Sequence, residues 1–346
     1  MTITSMSNMQ RHLNKQIITS YHLGGLTANK SPKAKSNVEC DYYAMMEGEV
    51  AEWSKKWRDT GNSAQRRRWS SQPLSANDFL GRMSASEISE VAKAVSEKSS
   101  PSKVGAVSSF APELAYNPWV RRAKTGRKAL RSLILLADKL VEMEHPVVGV
   151  EIGVGSVIRG VRYQRTTDVI EGTQERYVAI LNDLPRAQQY LCQNLRKVLS
   201  RLPASSSKLA IELEPGAFFL ARDLPSLKSL NSLIMKDPIL REKVFFNLDI
   251  SHWRLAGIAP EDLRLEQELT KRVLHAHISG HHPCAHFGDI PLLDLNSETD
   301  FDPWLDLLEE LKADKNAAYE GGLSLELEAV RDDQLLNKAI SEFIRL

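Results

Sequence analysis

The chain has 346 residues, with 45 Lys and Arg against 44 Asp and Glu, for a formal charge of +1. That balance excludes the strong field of a nucleic-acid or anionic-membrane binder and leaves a small molecule as the expected partner. Cys40, Cys192 and Cys284 lie far apart and make an odd number, which argues against a disulfide framework and for a reducing compartment. The first sixteen residues contain no signal-peptide core, and no apolar run reaches the about 18 residues of a membrane span. A soluble, cytoplasmic protein is the expectation.

After a polar arm over residues 1–16, residues 17–22 read as a first strand that ends in His22 and closes on Gly24 and Gly25. His22 has the position of a substrate-binding group. Residues 28–83 carry a helix over 45–57 and the cluster Arg66, Arg67, Arg68 beside Trp69. The cluster reads as a solvated basic turn, with phosphate or carboxylate recognition as the functional alternative. A strand is due in this stretch and none is legible, so it is either irregular or an inserted lid. Ser84 and Glu87 then form a capping box ahead of Ile88, Val91 and Val95 on one helical face.

Residues 104–110 (VGAVSSF) are the next strand, followed by an amphipathic helix over 119–143 with Leu133, Leu136, Ala137 and Leu140 on its buried stripe. Pro146 opens VVGVEIGVGS, a strand that is apolar except for Glu151. Glu151 shares a face with Val147, Gly149 and Gly153; it either projects into a substrate site or is a satisfied structural carboxylate. Residues 174–201 are helical, with a break or kink at Pro185.

Four strand-like runs follow: KLAIELEPG (208–216), VFFNLDISH (244–252), RVLHAHISG (272–280) and GGLSLELEA (321–329). Glu212, Asp249, His277 and Glu326 each stand near the end of one of them, just before Pro, Gly or Ser or one further acidic residue. Helix-compatible segments separate the runs, the last beginning at Asp302 with Pro303 in its first turn. Strand alternating with helix builds a parallel sheet, and polar residues at its C-terminal strand ends converge at the mouth of an α/β barrel. Three carboxylates and an imidazole converging there repel one another unless a cation lies between them.

Each of these residues also has a plainer role. Glu214 shares a strand face with Glu212, and Glu328 with Glu326, so either member of a pair is the inward one. Asp249 suits the cap of the following turn. Of His275 and His277, one reads as a supporting or core histidine. The loop HHPCAHFGD adds His281, His282, Cys284, His286 and Asp289, which read as substrate contacts, a second metal site or a solvated turn.

The motifs ELEPG, NLDISH, HAHISG with its His-rich loop, and LSLELE resemble, in that order, the xylose isomerase-like TIM barrels. That superfamily includes sugar phosphate isomerases and epimerases, inosose dehydratases and the family 2 abasic-site endonucleases. The resemblance covers residues 146–330 and implies a (β/α)8 barrel occupying residues 17–346. It implies one divalent metal, Mn2+, Mg2+, Co2+, Fe2+ or Zn2+, on Glu212, Asp249, His277 and Glu326. Glu212 and Glu326 would transfer the substrate proton and His252 would orient a substrate oxygen. His22, Glu151, Glu214, His282, His286 and Asp289 are further substrate candidates. The expected activity is isomerisation or epimerisation of a sugar, sugar phosphate or cyclitol through an enediolate. A lyase or dehydratase on a related polyol is the first alternative. A metal-dependent hydrolase of the endonuclease kind is less favoured: those relatives use three zinc ions and histidines at two earlier strand ends, where this chain has VSSFAP and GVEIGVGS.

Overall fold

The computed structural model describes residues 14–18, 37–73, 76–99, 103–110, 123–153, 184–216, 219–280, 300–326 and 338–343. Eight strands run in parallel: β1 (Asn14–Ile18), β2 (Asn37–Asp41), β3 (Val104–Phe110), β4 (Gly149–Gly153), β5 (Lys208–Glu212), β6 (Val244–Asp249), β7 (Val273–Ile278) and β8 (Gly322–Leu325). They close in sequence order into one barrel, with β8 pairing back onto β1.

Successive side chains of a strand point to opposite faces, so each barrel strand serves two environments. Val150, Ile152, Leu209, Ile211, Phe246 and Leu248 join the apolar core. The intervening positions carry Glu151, Asn247, His275, His277 and Ser324, which meet one another inside the barrel. Gly149 marks a close approach toward the lower interior. A Cβ there would lie 2.7 Å from the Lys208 carbonyl oxygen and 2.9 Å from Leu274 Cδ2, so no larger residue fits without movement.

The strand missing from the sequence reading is β2. It has five residues, NVECD, of which only Val38 and Cys40 are apolar, and its ladder with β3 slips in register between Val38 and Glu39. A helix, Tyr42–Thr60, follows without a turn. Of the two readings of this segment, an irregular strand or an inserted lid, the described residues fit the first: they supply a strand of the barrel wall with a register slip and the helices Tyr42–Thr60, Ser63–Arg68 and Ala76–Arg82. Pro185, expected to break or kink a helix over 174–201, occupies the first turn of the helix Leu184–Leu199, where its missing N–H costs nothing, and residues 174–183 lie outside the described residues. Strand β3 has the expected bounds, and the expected helix over 119–143 is Ala123–Glu142.

Glu87, fully buried, ties this N-terminal part together. Its carboxylate accepts from Ser84 N at 2.7 Å, Ser84 Oγ at 2.8 Å, Trp69 Nε1 at 2.8 Å and Arg68 Nη1 at 2.7 Å. The capping box and one member of the arginine cluster are thus parts of a single structural knot. Arg66 donates instead to the Gly61 carbonyl oxygen at 2.7 Å. Trp69 also packs against Trp57 and Phe79, with centroids 5.2 and 5.1 Å away. Glu87→Ala would strand the buried indole N–H and the guanidinium, a loss of about 3 kcal/mol. It is read as a lower urea midpoint at unchanged slope.

Candidate metal centre at the barrel mouth

The register places the polar strand ends side by side. Glu212 pairs with Asn247, Asp249 with His277, and His277 with Ser324 across the β5 to β8 ladders. Glu326 follows the last residue of β8, and its N–H donates to the Ile278 carbonyl oxygen at 3.1 Å, extending the ladder by one rung. One ligand-type atom from each of Glu212, Asp249, His277 and Glu326 lies within 4.8 Å of the others.

His277 Nδ1 sits at the centre of this group, 2.8 Å from Glu326 Oε2, 3.5 Å from Glu212 Oε1 and 3.8 Å from Asp249 Oδ2. The last two separations are too long for hydrogen bonds. They suit ligands of a common cation: metal–ligand bonds of about 2.1–2.3 Å set neighbouring ligand atoms roughly 3 to 4.5 Å apart. Glu212 Oε1 is buried and accepts no hydrogen bond among the described residues. A buried carboxylate oxygen in that condition is costly unless a cation meets it. Three carboxylates and one imidazole suit a hard or borderline divalent ion rather than a thiolate-selective one.

Asp249 is placed for both roles that the sequence allows. Its Oδ1 accepts the His252 N–H at 2.7 Å and caps the short helix Ile250–Leu255, while Oδ2 faces the cluster. The cap brings His252 over the site, with Nδ1 3.6 Å from Glu212 Oε1 and 3.8 Å from Asp249 Oδ2. Burial alone would push the Glu212 carboxyl up, but without a cation the neighbouring imidazoles of His252 and His277 outweigh it and hold the group down at about 2. Glu212 is therefore ionised at neutral pH.

Of the paired candidates, Glu212 joins the four-residue group, and Glu214 approaches Glu212 and His252 at its outer edge. His275 belongs to the interior: its Nε2 lies 2.8 Å from Ser324 Oγ, and its ring stands edge-on to His277. Glu151 does not line the mouth. It is 3% exposed, accepts from Asn247 Nδ2 at 2.8 Å, and places Oε2 3.0 Å from His277 Nε2. Asn247 and Ser324 were not singled out from the sequence. Their signal is a polar residue inside an apolar strand, two positions before a ligand-type residue and hence on its face. His22, His281, His282, Cys284, His286, Asp289 and Glu328 lie outside the described residues.

The fold is a TIM barrel. Among similar solved structures, a probable 3-DHS dehydratase involved in petrobactin synthesis from Bacillus anthracis superposes with a TM-score of 0.55 at 11% identity, covering 96% of this chain and 99% of that one. The 3-keto-D-glucoside 4-epimerase of E. coli gives 0.54 at 11% identity, covering 96% and 100%. A putative xylose isomerase from Rhodospirillum rubrum gives 0.52 at 11% identity, covering 75% and 81%. No protein-family model and no curated protein matches the sequence. Among the described residues, no helix is long and apolar enough to cross a membrane.

Proposed function

We propose that this chain is a divalent-metal-dependent isomerase or epimerase of a sugar, sugar phosphate or cyclitol-like small molecule, working through an enediolate. The observation that carries the reading is the convergence of Glu212, Asp249, His277 and Glu326 at the C-terminal strand ends, where barrels of this kind do their chemistry. The similar folds include an epimerase and a dehydratase, reactions that share loss of a proton beside a carbonyl.

In this reading the four residues would hold one cation, Mn2+, Mg2+, Co2+, Fe2+ or Zn2+, which would supply Lewis acidity toward a substrate carbonyl. Glu212 stands on β5 and Glu326 just past β8, three strands further round the barrel, so their carboxylates flank a substrate lying across the mouth. One takes the proton from carbon and the other returns it; return to the other face gives an epimer, and return to the neighbouring carbon gives an isomer. His252, next to Glu212, orients a substrate oxygen, and Glu214 supplies an acceptor at the rim. The runs VSSFAP and GVEIGVGS, which hold the β3 and β4 ends, contain no histidine, which weighs against a three-zinc hydrolase.

The test is a screen of ketoses, inososes and their phosphates in D2O with Mn2+-loaded and chelator-treated protein, followed by NMR. The expected result is metal-dependent replacement of one C–H by C–D together with an isomeric product. A product containing a new C=C bond assigns the dehydratase alternative. Cleavage of abasic DNA with no exchange in any sugar overturns the proposal.

A further inference from the structure

The helix Ala123–Glu142 ends in a tight reversal. Glu144 takes a left-handed φ of 63°, with its N–H on the Val141 carbonyl oxygen at 2.9 Å and the next N–H, that of His145, on the Leu140 carbonyl oxygen at 3.0 Å. The reversal turns His145 off the helix and into the floor of the barrel, at the N-terminal ends of β3 and β4 and opposite the mouth. There the ring is 5% exposed and engaged at both nitrogens: Nδ1 lies 3.0 Å from Val104 N, and Nε2 lies 2.8 Å from Ser96 Oγ on the helix Ala85–Ser99. A backbone N–H can only donate. Nδ1 is therefore an acceptor, and the ring is uncharged, with its proton on Nε2 and directed to Ser96 Oγ. Protonation would set Nδ1–H against Val104 N–H in a buried place, where neither donor has an acceptor. From this ring the chain runs through Val148, whose N–H donates to the Gly105 carbonyl oxygen at 2.8 Å, into β4. One imidazole thus joins a helix, the first residue of β3 and the approach to β4.

We propose that His145 is a proton-sensitive latch in the barrel floor, closed while the ring is neutral and opened by acidification, which frees the feet of β3 and β4. The charges around it favour the neutral form. Burial, and then Lys103 beside Val104, lower the ring's pKa from the ordinary histidine value of 6.5. On the helix Ala85–Ser99 the exposed Glu97 faces Lys93 at 3.8 Å, and at the end of the helix Ala123–Glu142 the exposed Glu142 pairs with Lys139 while Glu144 is exposed. Among the described residues none of these carboxylates pairs with the ring. Above pH 6.5 neither the folded nor the unfolded chain carries this proton, and the latch contributes in full. As the pH falls below that value, the unfolded chain takes up a proton that the latched ring resists, so stability is lost until the folded ring titrates as well.

The test is 15N NMR of the full chain between about pH 7.5 and about pH 5, following both ring nitrogens of His145 and the hydrogen-exchange protection of Val104 N–H. Urea unfolding of wild type and His145→Asn at about pH 7.5 and about pH 5.5 accompanies it, because Asn Oδ1 can replace Nδ1 as the acceptor and does not titrate. The expected result is a proton on Nε2 at the higher pH, titration of the ring below 6.5, and protection of Val104 that falls as the ring titrates. Over the same interval the folding equilibrium constant should fall more in wild type than in His145→Asn, by a factor of up to about 10. A proton on Nδ1 at the higher pH, titration at or above 6.5, or a ring still neutral at about pH 5 overturns the latch. Val104 protection unchanged through the titration overturns it too, as does an equal loss of stability in the two proteins. Should His145→Asn not fold, the NMR readings on wild type decide.

Discussion

Glu212→Gln and Glu326→Gln are each expected to lower turnover by about 10²- to 10⁴-fold while substrate still binds. Gln keeps the shape and one ligand oxygen but is no base. Glu212 starts ionised, because His252 and His277 hold its carboxyl at about 2 despite burial. Glu326 reaches the same centre through His277 Nδ1 at 2.8 Å. Exchange of the substrate C–H with D2O should fall in parallel with turnover, measured by NMR under single-turnover conditions. A Glu326→Gln variant with full activity would remove Glu326 from proton transfer and leave it the role of a ligand or support. Product formed by wild type without any exchange at carbon would fit a shielded proton return, a hydride shift or hydrolysis, and the variants separate these. Only the first requires both carboxylates.

Asp249→Ala and His277→Ala should abolish tight cation binding without unfolding the barrel. Wild type should gain stability with Mn2+, about 2.7 kcal/mol at a free concentration of 100 times Kd, and both variants should lose that gain. Asp249 needs a control because its Oδ1 also caps the Ile250–Leu255 helix at 2.7 Å from His252 N. Losing that cap costs about 1 kcal/mol in the metal-free protein. Asp249→Asn keeps the cap acceptor and removes only the charge. It should therefore match or exceed wild type in metal-free melting, since one of the converging negative charges is gone, and still lose most of the Mn2+-dependent shift, which melts with and without chelator will read.

The four residues that converge at the mouth were legible because each ends a run of apolar strand residues, and a barrel turns that linear position into convergence. The partner choice within each strand was less so. Two carboxylates spaced by two residues share a face, and only depth within the barrel separates Glu212 from Glu214. Depth also decides Glu151, whose neighbours across the interior, Asn247 and His277, are 96 and 126 residues away in sequence by subtraction of their numbers. No local pattern encodes such a contact. Strand β2 escaped because five residues with two apolar side chains carry too little periodicity, and closure of the barrel rather than intrinsic preference makes them a strand. Arg68 and Trp69 read as a surface feature until Glu87, 18 residues beyond Trp69, is seen to bury its carboxylate between them.

The central claim is that one cation joins four side chains from four strand ends, and the most direct measurement is an anomalous difference map from crystals grown with Mn2+ and recorded at the manganese edge. The account predicts a single strong peak per chain, bounded by Glu212, Asp249, His277 Nδ1 and Glu326. No peak there, a peak only at other residues, or three peaks clustered at the mouth would contradict it.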